Sequence, residues 1–400
     1  MASNSILATV VLGAAPYQKT LAARLLSAGM LRQVIDVVPS LDIREPDDDG
    51  NLARVKTFPA FALAKRVVWG GWRRLPLSVR PRPPIMLNAW LADRLMANSI
   101  AASAIFHSCA ALCLASLRVA QKHGAITLVE NATWHPREWN KTELEEASRF
   151  GLNSRDRRGE LTESMLRRME QEFENCDRIV VASTVALQSF AEYGYEKKAV
   201  MVKVGVDAGM FSPGVRIANT PPKTFRVCCV GRVEFAKGIA YLLEAWNRLR
   251  LPHAELVLVG EVKPQMKSLL QGCAERGVRL AGVLPQSEVA RCYQESDAFV
   301  LSSLHEGFGL VLLEAMASGL PVVATDRTGA KDCIADGKEG FIVPARDTDA
   351  LANAILWCYE HPEGRAAMGR AARARIESEF TLEHYNERVI TLYRNLAATR

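Results

Sequence analysis

The chain of 400 residues is short of several things, and each shortage closes off a class of protein. No apolar run approaches the roughly 18 to 20 residues that a membrane-spanning helix needs. No Lys or Arg precedes the apolar stretch ILATVVLGAA near the start. It therefore lacks the charged lead of a signal peptide and is expected to be a first buried strand. The nine cysteines form no C-x-x-C pair, and two of them, Cys228 and Cys229, sit side by side in an apolar run. Cysteines used as small hydrophobes point to a reduced compartment, so the expected location is the cytoplasm. Neither the cysteines nor the seven histidines have metal-ligand spacing, and no metal or other cofactor is expected. No G-x-G-x-x-G turn follows Leu12 or Val230, which argues against an NAD-dependent oxidoreductase. There is no low-complexity tract and no repeat relating the two halves.

One shortage is local. Between Asn51 and Ala92 there is no acid, while Arg54, Lys56, Lys65, Arg66, Arg73, Arg74, Arg80 and Arg82 all occur, with Phe58, Phe61, Trp69 and Trp72 among them. The net charge of the whole chain is only +6, so this clustering matters more than the total. The segment Arg54–Arg82 suits an anionic partner such as a membrane surface, a phosphate-bearing substrate or nucleic acid. It equally suits a solvated helix and loop with snorkelling arginines.

What remains is an ordinary globular composition, 49% apolar and 24% charged, in a chain long enough for two domains of about 150 to 200 residues. Short β-branched runs alternate with helical segments throughout, which predicts α/β architecture with parallel sheets. In the first half the strands are expected at Ile6–Leu12, Gln33–Val38, Ser103–Phe106, Ala125–Val129 and Arg178–Ala182. In the second they are expected at Phe225–Val230, Glu255–Val259, Val278–Leu280, Ala298–Leu301, Pro321–Ala324 and Gly340–Val343, with helices beginning near Gly238, Pro264, Ser287, Gly309 and Thr348. The stretch DAGMFSPGVRIANTPPK, residues 207–223, is rich in Pro, Gly and Asn and reads as a linker between a domain 1–206 and a domain 224–378. Two doubly wound domains would face each other across a cleft, with ligands at the carboxyl ends of the strands.

The segment HEGFGLVLLEAMASGLPVVATD, residues 305–326, carries the clearest chemical signal. Its helical part is apolar except for Glu314, and a buried carboxylate is costly without a partner. The Gly-Phe-Gly turn before that helix lets backbone approach a ligand, and the helix start offers free N–H groups suited to phosphate. Glu306 precedes the turn. Two acids beside a phosphate need cations, and Arg232 and Lys237 follow the strand ending at Val230. Together these describe a pocket for a nucleoside diphosphate carrying a polyol. Each signal alone is weak; the order strand–GR–x4–KG, then two acids around Gly-Phe-Gly, then SGLPVVATD, is specific.

Residues 225–345 resemble the donor domain of retaining glycosyltransferases of family 4, which have the GT-B fold of two facing Rossmann-like domains. VKVGVDAGMFSP (202–213), CDRIVVAST (176–184) and the ending FTLEHYNERVITLY are similar to the family's linker, preceding strand and crossing C-terminal helix, here 379–400. The resemblance implies a metal-independent hexosyltransferase. Arg232 and Lys237 would hold the donor diphosphate, Glu314 the ribose and Glu306 the sugar hydroxyls. The N–H groups of Gly309, Leu310 and Val311 would meet the phosphate. The donor would be a UDP- or GDP-linked sugar, the acceptor a saccharide or lipid-linked glycan near an anionic membrane, and nucleic acid is not an expected partner.

The first domain departs from the family pattern. Its loop after the first strand, LGAAPYQK, keeps only Gly13, and the strand end that in many members carries a His here carries Glu130 and Asn131, with His135 a few residues on. His107, at another strand end, is a further acceptor-side candidate. Trp134 could stack on a sugar ring but is expected in the core. A nucleotide-sugar epimerase of the same fold and a non-catalytic membrane-associated binding protein are the alternatives.

Overall fold

The computed structural model describes residues 6–12, 16–36, 54–58, 85–152, 161–214 and 224–399. Their strands form two all-parallel sheets. The first contains β1 (Ala8–Leu12), β2 (Leu31–Asp36), β3 (Arg54–Thr57), β4 (Ile105–Cys109), β5 (Ile126–Asn131), β6 (Arg178–Val181) and β7 (Ala199–Met201), in the order β3-β2-β1-β4-β5-β6-β7. The second contains β8 (Phe225–Val230), β9 (Ala254–Val259), β10 (Val278–Gly282), β11 (Ala298–Leu301), β12 (Val322–Thr325) and β13 (Gly340–Val343), in the order β10-β9-β8-β11-β12-β13. Central strands such as β1 (ATVVL) and β11 (AFVL) are buried along their whole length, as expected where helices cover both faces.

In each sheet the order reverses once, between β1 and β4 and between β8 and β11. At such a switch point the loops leaving adjacent strands diverge to opposite faces and open a crevice at the carboxyl edge. Register places His107 of β4 beside Val10 of β1, and Phe299 of β11 beside Cys228 of β8. Residues that follow these strands are therefore the ones delivered to the crevices.

Helices α1 (Pro16–Ser27), α2 (Ile85–Ala97), α3 (Leu114–Lys122), α4 (Pro136–Arg149), α5 (Glu163–Asn175) and α6 (Thr184–Ala191) belong to the first sheet. Helices α7 (Ile239–Leu249), α8 (Gln286–Gln294), α9 (Leu310–Ala317), α10 (Ala330–Cys333), α11 (Thr348–Glu360) and α12 (Pro362–Glu379) belong to the second. The last helix, α13 (Leu382–Ala398), returns to the first domain. There Glu387 pairs with Arg24 of α1 at 2.8 Å, the Tyr385 ring meets Tyr17 edge-on at 4.8 Å, and Tyr393 Oη lies 2.7 Å from His107 Nδ1. Among the described residues no helix is long and apolar enough to cross a membrane.

Strands β8, β11 and β13 have the expected bounds, the other expected strands differ at their ends by at most three residues, and two edge strands, β3 and β7, are additional. The helix expected near Pro264 is instead two short 3-10 turns, Pro264–Met266 and Ala274–Arg276. Gly272 (φ 68°) and Gly277 (φ 72°) lie in left-handed conformations that an α-helix cannot carry.

Candidate active site

The carboxyl edge of the second sheet is stitched together by its own loops. Beyond β11, Ser302 Oγ donates to the Lys237 carbonyl at 2.8 Å and Leu304 N to the Ala236 carbonyl at 2.9 Å. These bonds tie the short turn Phe235–Lys237, which follows β8, to the segment that leads into α9. The result is an ion pair between Lys237 Nζ and Glu306 Oε1, both half-buried. Ser303 Oγ adds a contact to the same carboxylate at 3.3 Å, and Glu306 N donates to the Arg327 carbonyl at 3.1 Å.

Helix α9 begins immediately after this pair. Its cap residue, Gly309, has φ 88°, and no side chain caps the helix. The left-handed backbone favours glycine, and a Cβ there would also press on Leu301 Cδ2 at 2.8 Å, so that side chain would have to shift. The N–H groups of the first turn, including those of Gly309, Leu310 and Val311, thus start a helix without a side-chain cap beside Lys237 and Glu306, the kind of helix start at which anions can bind.

One turn further on, Glu314 has a protein partner that sequence reasoning did not supply. Tyr293 of α8 donates its hydroxyl to Glu314 Oε2 at 3.1 Å. One neutral hydrogen bond does not offset the burial, which pushes the Glu314 carboxyl up to about 7 while the Tyr293 hydroxyl pulls the other way. The sequence reading offered only a donor ribose as the partner of this acid, and the structure adds a protein hydroxyl. The only clue was that a fully buried Tyr needs somewhere to place its hydroxyl. Arg232 is likewise engaged: its side chain is 57% exposed and forms an ion pair at 2.9 Å with Glu234, a residue the sequence reading passed over. Burial raises the Glu234 carboxyl, and Arg232 opposes that rise.

The model of the family described as glycosyl transferases group 1 matches residues 224–361, the stretch that holds β8 to β13. The second domain is a glycosyl transferases group 1 domain. Relatives of this group 1 domain include the amylovoran biosynthesis glycosyltransferase AmsK of Erwinia amylovora, 31% identical over 195 residues, covering 46% of this chain and 47% of that protein. A D-inositol 3-phosphate glycosyltransferase of Corynebacterium urealyticum is 30% identical over 250 residues, covering 57% and 58%. The chain spans about half the length of the curated relatives it matches. Solved structures extend the likeness to the whole fold. Sucrose-phosphate synthase from Thermosynechococcus elongatus superposes with a TM-score of 0.71 at 21% identity, covering 98% of this chain and all of that one. Anabaena Alr3699/HepE, solved with UDP and glucose, gives 0.64 at 14% identity, covering 97% and 99%. The architecture is the GT-B fold.

Facing the group 1 domain, the first domain brings its own polar groups together at the β1–β4 switch. Glu130, at the end of β5, accepts from Tyr17 Oη at 2.7 Å and from Gln18 Nε2 at 2.9 Å. His107 Nε2 lies 3.6 Å from Glu130 Oε2. Burial lowers the His107 pKa, and the Glu130 carboxylate only partly opposes it. Asn131 is turned inward, donating to the carbonyls of Thr133 at 2.7 Å and Trp134 at 3.1 Å, and so shapes the loop after β5. Gly13 and most of Arg54–Arg82 lie outside the described residues.

His135 is corrected as an acceptor-side residue. It is 0% exposed, accepts from Arg137 N as the cap of α4, stacks on Tyr193 at 4.0 Å and is enclosed further by Phe173, Phe190 and Tyr195. This apolar cage lowers its pKa to about 4, so it is a neutral core residue out of reach of any acceptor. Trp134 is also packed in the core, with Arg327 of the group 1 domain over its ring at 5.0 Å.

The two domains touch directly around the Gly-Phe-Gly turn. Ser183 Oγ donates to the Gly307 carbonyl, and a Cβ on Gly307 would lie 1.8 Å from the Ala132 carbonyl oxygen. Thr184 N donates to Asp332 Oδ2 at 2.9 Å, and His305 Nε2 lies 2.9 Å from Glu143 Oε1. On the rim Glu146 of α4 accepts from Arg346 Nε at 2.6 Å and Tyr241 Oη at 2.9 Å. His305 is thus one of the groups that sets how the domains meet.

Proposed function

We propose that the chain is a retaining glycosyltransferase that moves a hexose from a UDP- or GDP-linked sugar to a saccharide or lipid-linked acceptor in glycan or cell-envelope polysaccharide synthesis. The observation that carries this reading is the Lys237–Glu306 pair at the uncapped start of α9, with Glu314 one turn beyond. Cation, helix start and two carboxylates in that order match the phosphates, sugar and ribose of one extended ligand. The names of the relatives support glycosyl transfer, and the UDP bound by the Anabaena neighbour supports this class of donor.

On this reading the resting ion pair is exchanged for ligand. Lys237 turns to a donor phosphate oxygen, Glu306 accepts from hydroxyls of the sugar, and Glu314 accepts from the ribose. The exposed Arg232 has the reach to leave Glu234 and fork onto the diphosphate. As the bond from the anomeric carbon to the diphosphate breaks, negative charge grows on the leaving oxygen, where Lys237, Arg232 and the α9 N–H groups are already aimed. The acceptor oxygen bonds to the anomeric carbon on the face being vacated, and its proton passes to the departing diphosphate. Configuration is retained, and the cationic side chains take the charge that a divalent ion would otherwise bear.

A thermal-shift panel of sugar nucleotides, followed by assay of nucleoside diphosphate release, tests the proposal. A donor at a hundred times its Kd is expected to stabilise the protein by about 2.7 kcal/mol. Absence of both stabilisation and release across UDP- and GDP-linked sugars would overturn it.

A further inference from the structure

Helix α2 (Ile85–Ala97) turns an unusual face to solvent. Its Ala89, Ala92, Asp93 and Met96 are buried, whereas Trp90, Leu91, Arg94 and Leu95 are exposed. The spacing i, i+1, i+4, i+5 places those four on one side of the helix. Trp90 is 46% exposed and Leu91 and Leu95 37% each. Nine large hydrophobic side chains are exposed among the described residues, and these three fall within six positions, so they form a patch rather than scattered singles. The guanidinium of Arg94 stands 5.3 Å over the Trp90 ring.

The charge on this face is of one sign. Asp93 is the only acid in α2, and it is spent inward: it accepts from Ala115 N at 2.7 Å and Ser116 N at 2.8 Å and pairs with Arg168 at 2.6 Å. The sequence leading into the helix has eight Lys and Arg and no acid from Asn51 to Ala92. Apolar residues with an interfacial Trp, beside a stretch of sequence rich in cations, are what an anionic bilayer surface binds.

Its place in the fold fits that partner. The far end of α2 is tied to the start of β2, since Gln33 Nε2 donates to the Ser99 carbonyl at 2.8 Å and Ala101 N to Gln33 Oε1 at 3.0 Å. Asp93 caps α3, which starts just beyond the carboxyl end of β4. Asp93 therefore holds α2 beside the carboxyl end of β4, and the eight helical residues before it span about 12 Å.

We infer that the exposed face of α2 docks on an anionic lipid bilayer, with Trp90, Leu91 and Leu95 entering the headgroup boundary and Arg94 meeting lipid phosphates. The inference goes beyond the donor chemistry proposed above and does not need it to hold. It would place the crevice of the first domain at the lipid surface, so that an acceptor carried by a lipid could enter without leaving the membrane.

The full-length protein tests this with phosphatidylcholine vesicles and with vesicles containing about 30 mol% phosphatidylglycerol. Co-sedimentation with the anionic vesicles only, weakening as salt rises, is expected. The variant Trp90→Ser/Leu91→Ser/Leu95→Ser should partition about tenfold less or weaker still, because three interfacial apolar groups are lost. Arg94→Glu should weaken binding to anionic vesicles selectively. Trp90→Phe should keep binding yet reduce the quenching of tryptophan fluorescence by brominated lipid. Thermal unfolding of the same variants should match the parent, which reports that they fold, and unchanged sugar-nucleotide stabilisation separates this face from the donor site. No binding to anionic vesicles, or equal binding by the triple variant, would overturn the inference. So would self-association of the parent that the triple variant abolishes, since a second copy would then cover the face.

Discussion

Replacing Glu314 by Gln is expected to make the unliganded protein more stable at neutral pH while weakening its hold on a sugar nucleotide. Below about pH 4.5 the carboxyl is protonated in both folded and unfolded chains and contributes nothing to the difference. As pH rises the unfolded chain ionises first, because burial holds the folded group at about 7 instead of 4.5. Stability present at acid pH is therefore lost progressively up to about pH 7 and stays lost above it. At about 1.4 kcal/mol per unit, the lift amounts to about 3 kcal/mol at most. Gln escapes that penalty and still offers Tyr293 Oη an oxygen. Thermal unfolding of parent and variant at pH 5, 6, 7 and 8 should show a gap that opens with pH and then levels, on the order of 5 °C for 1 to 3 kcal/mol. Donor affinity should fall by about tenfold in the variant, since a charge-assisted hydrogen bond to the ribose becomes a neutral one. The parent's affinity should itself weaken as pH drops from 8 to 5, and the variant's should not. A gap that is constant with pH, or a variant less stable than the parent at pH 8, would refute the reasoning and mean that Glu314 rests ionised and fully paired.

Other changes test other parts of the site. Glu306→Gln should lower turnover by at least about tenfold in a transfer assay, because it removes both the partner of Lys237 and the charged acceptor for sugar hydroxyls; near-normal turnover would exclude both roles. Gly307→Ala should reduce kcat with little change in donor-induced stabilisation, since the added methyl strikes the Ala132 carbonyl of the other domain and leaves the donor wall intact. Turnover should survive chelation by EDTA, measured as nucleoside diphosphate release with and without the chelator. Reversing Arg73 and Arg74 to Glu, positions outside the described residues, should weaken binding to anionic vesicles and flatten its salt dependence; indifference would remove that segment from membrane docking.

Most of the strands that sequence reading located are central ones whose burial favours a near-continuous apolar run, such as FRVCCV in β8 and AFVL in β11, and the edge strands β10 and β13 of the second sheet were located as well. The two it passed over are edge strands with weaker patterns: β3 is RVKT, half of it cationic, and β7 is three residues long. The meeting of Lys237 with Glu306 was legible because both follow strands that adjoin at a switch point, so topology brings residues 69 positions apart to one edge. The partner of Glu314 was not, because nothing local says which buried hydroxyl points at a given carboxylate. His135 shows the same limit from the other side. Its cage is assembled from Phe173, Phe190, Tyr193 and Tyr195, all from later in the chain, and only the tertiary fold reveals that a histidine beside a strand end has no opening to the cleft.

The return of α13 to the first domain has a consequence for how the molecule can be made and cut. Tyr17, His107 and Glu130 are shielded in part by side chains that come after the entire second domain in the chain. The first domain is thus no contiguous stretch of polypeptide, and expression of 1–206 alone would leave the flank of α1 bare. During synthesis its last helix arrives only once the second domain has been threaded, so the half that begins to fold first is the half completed last.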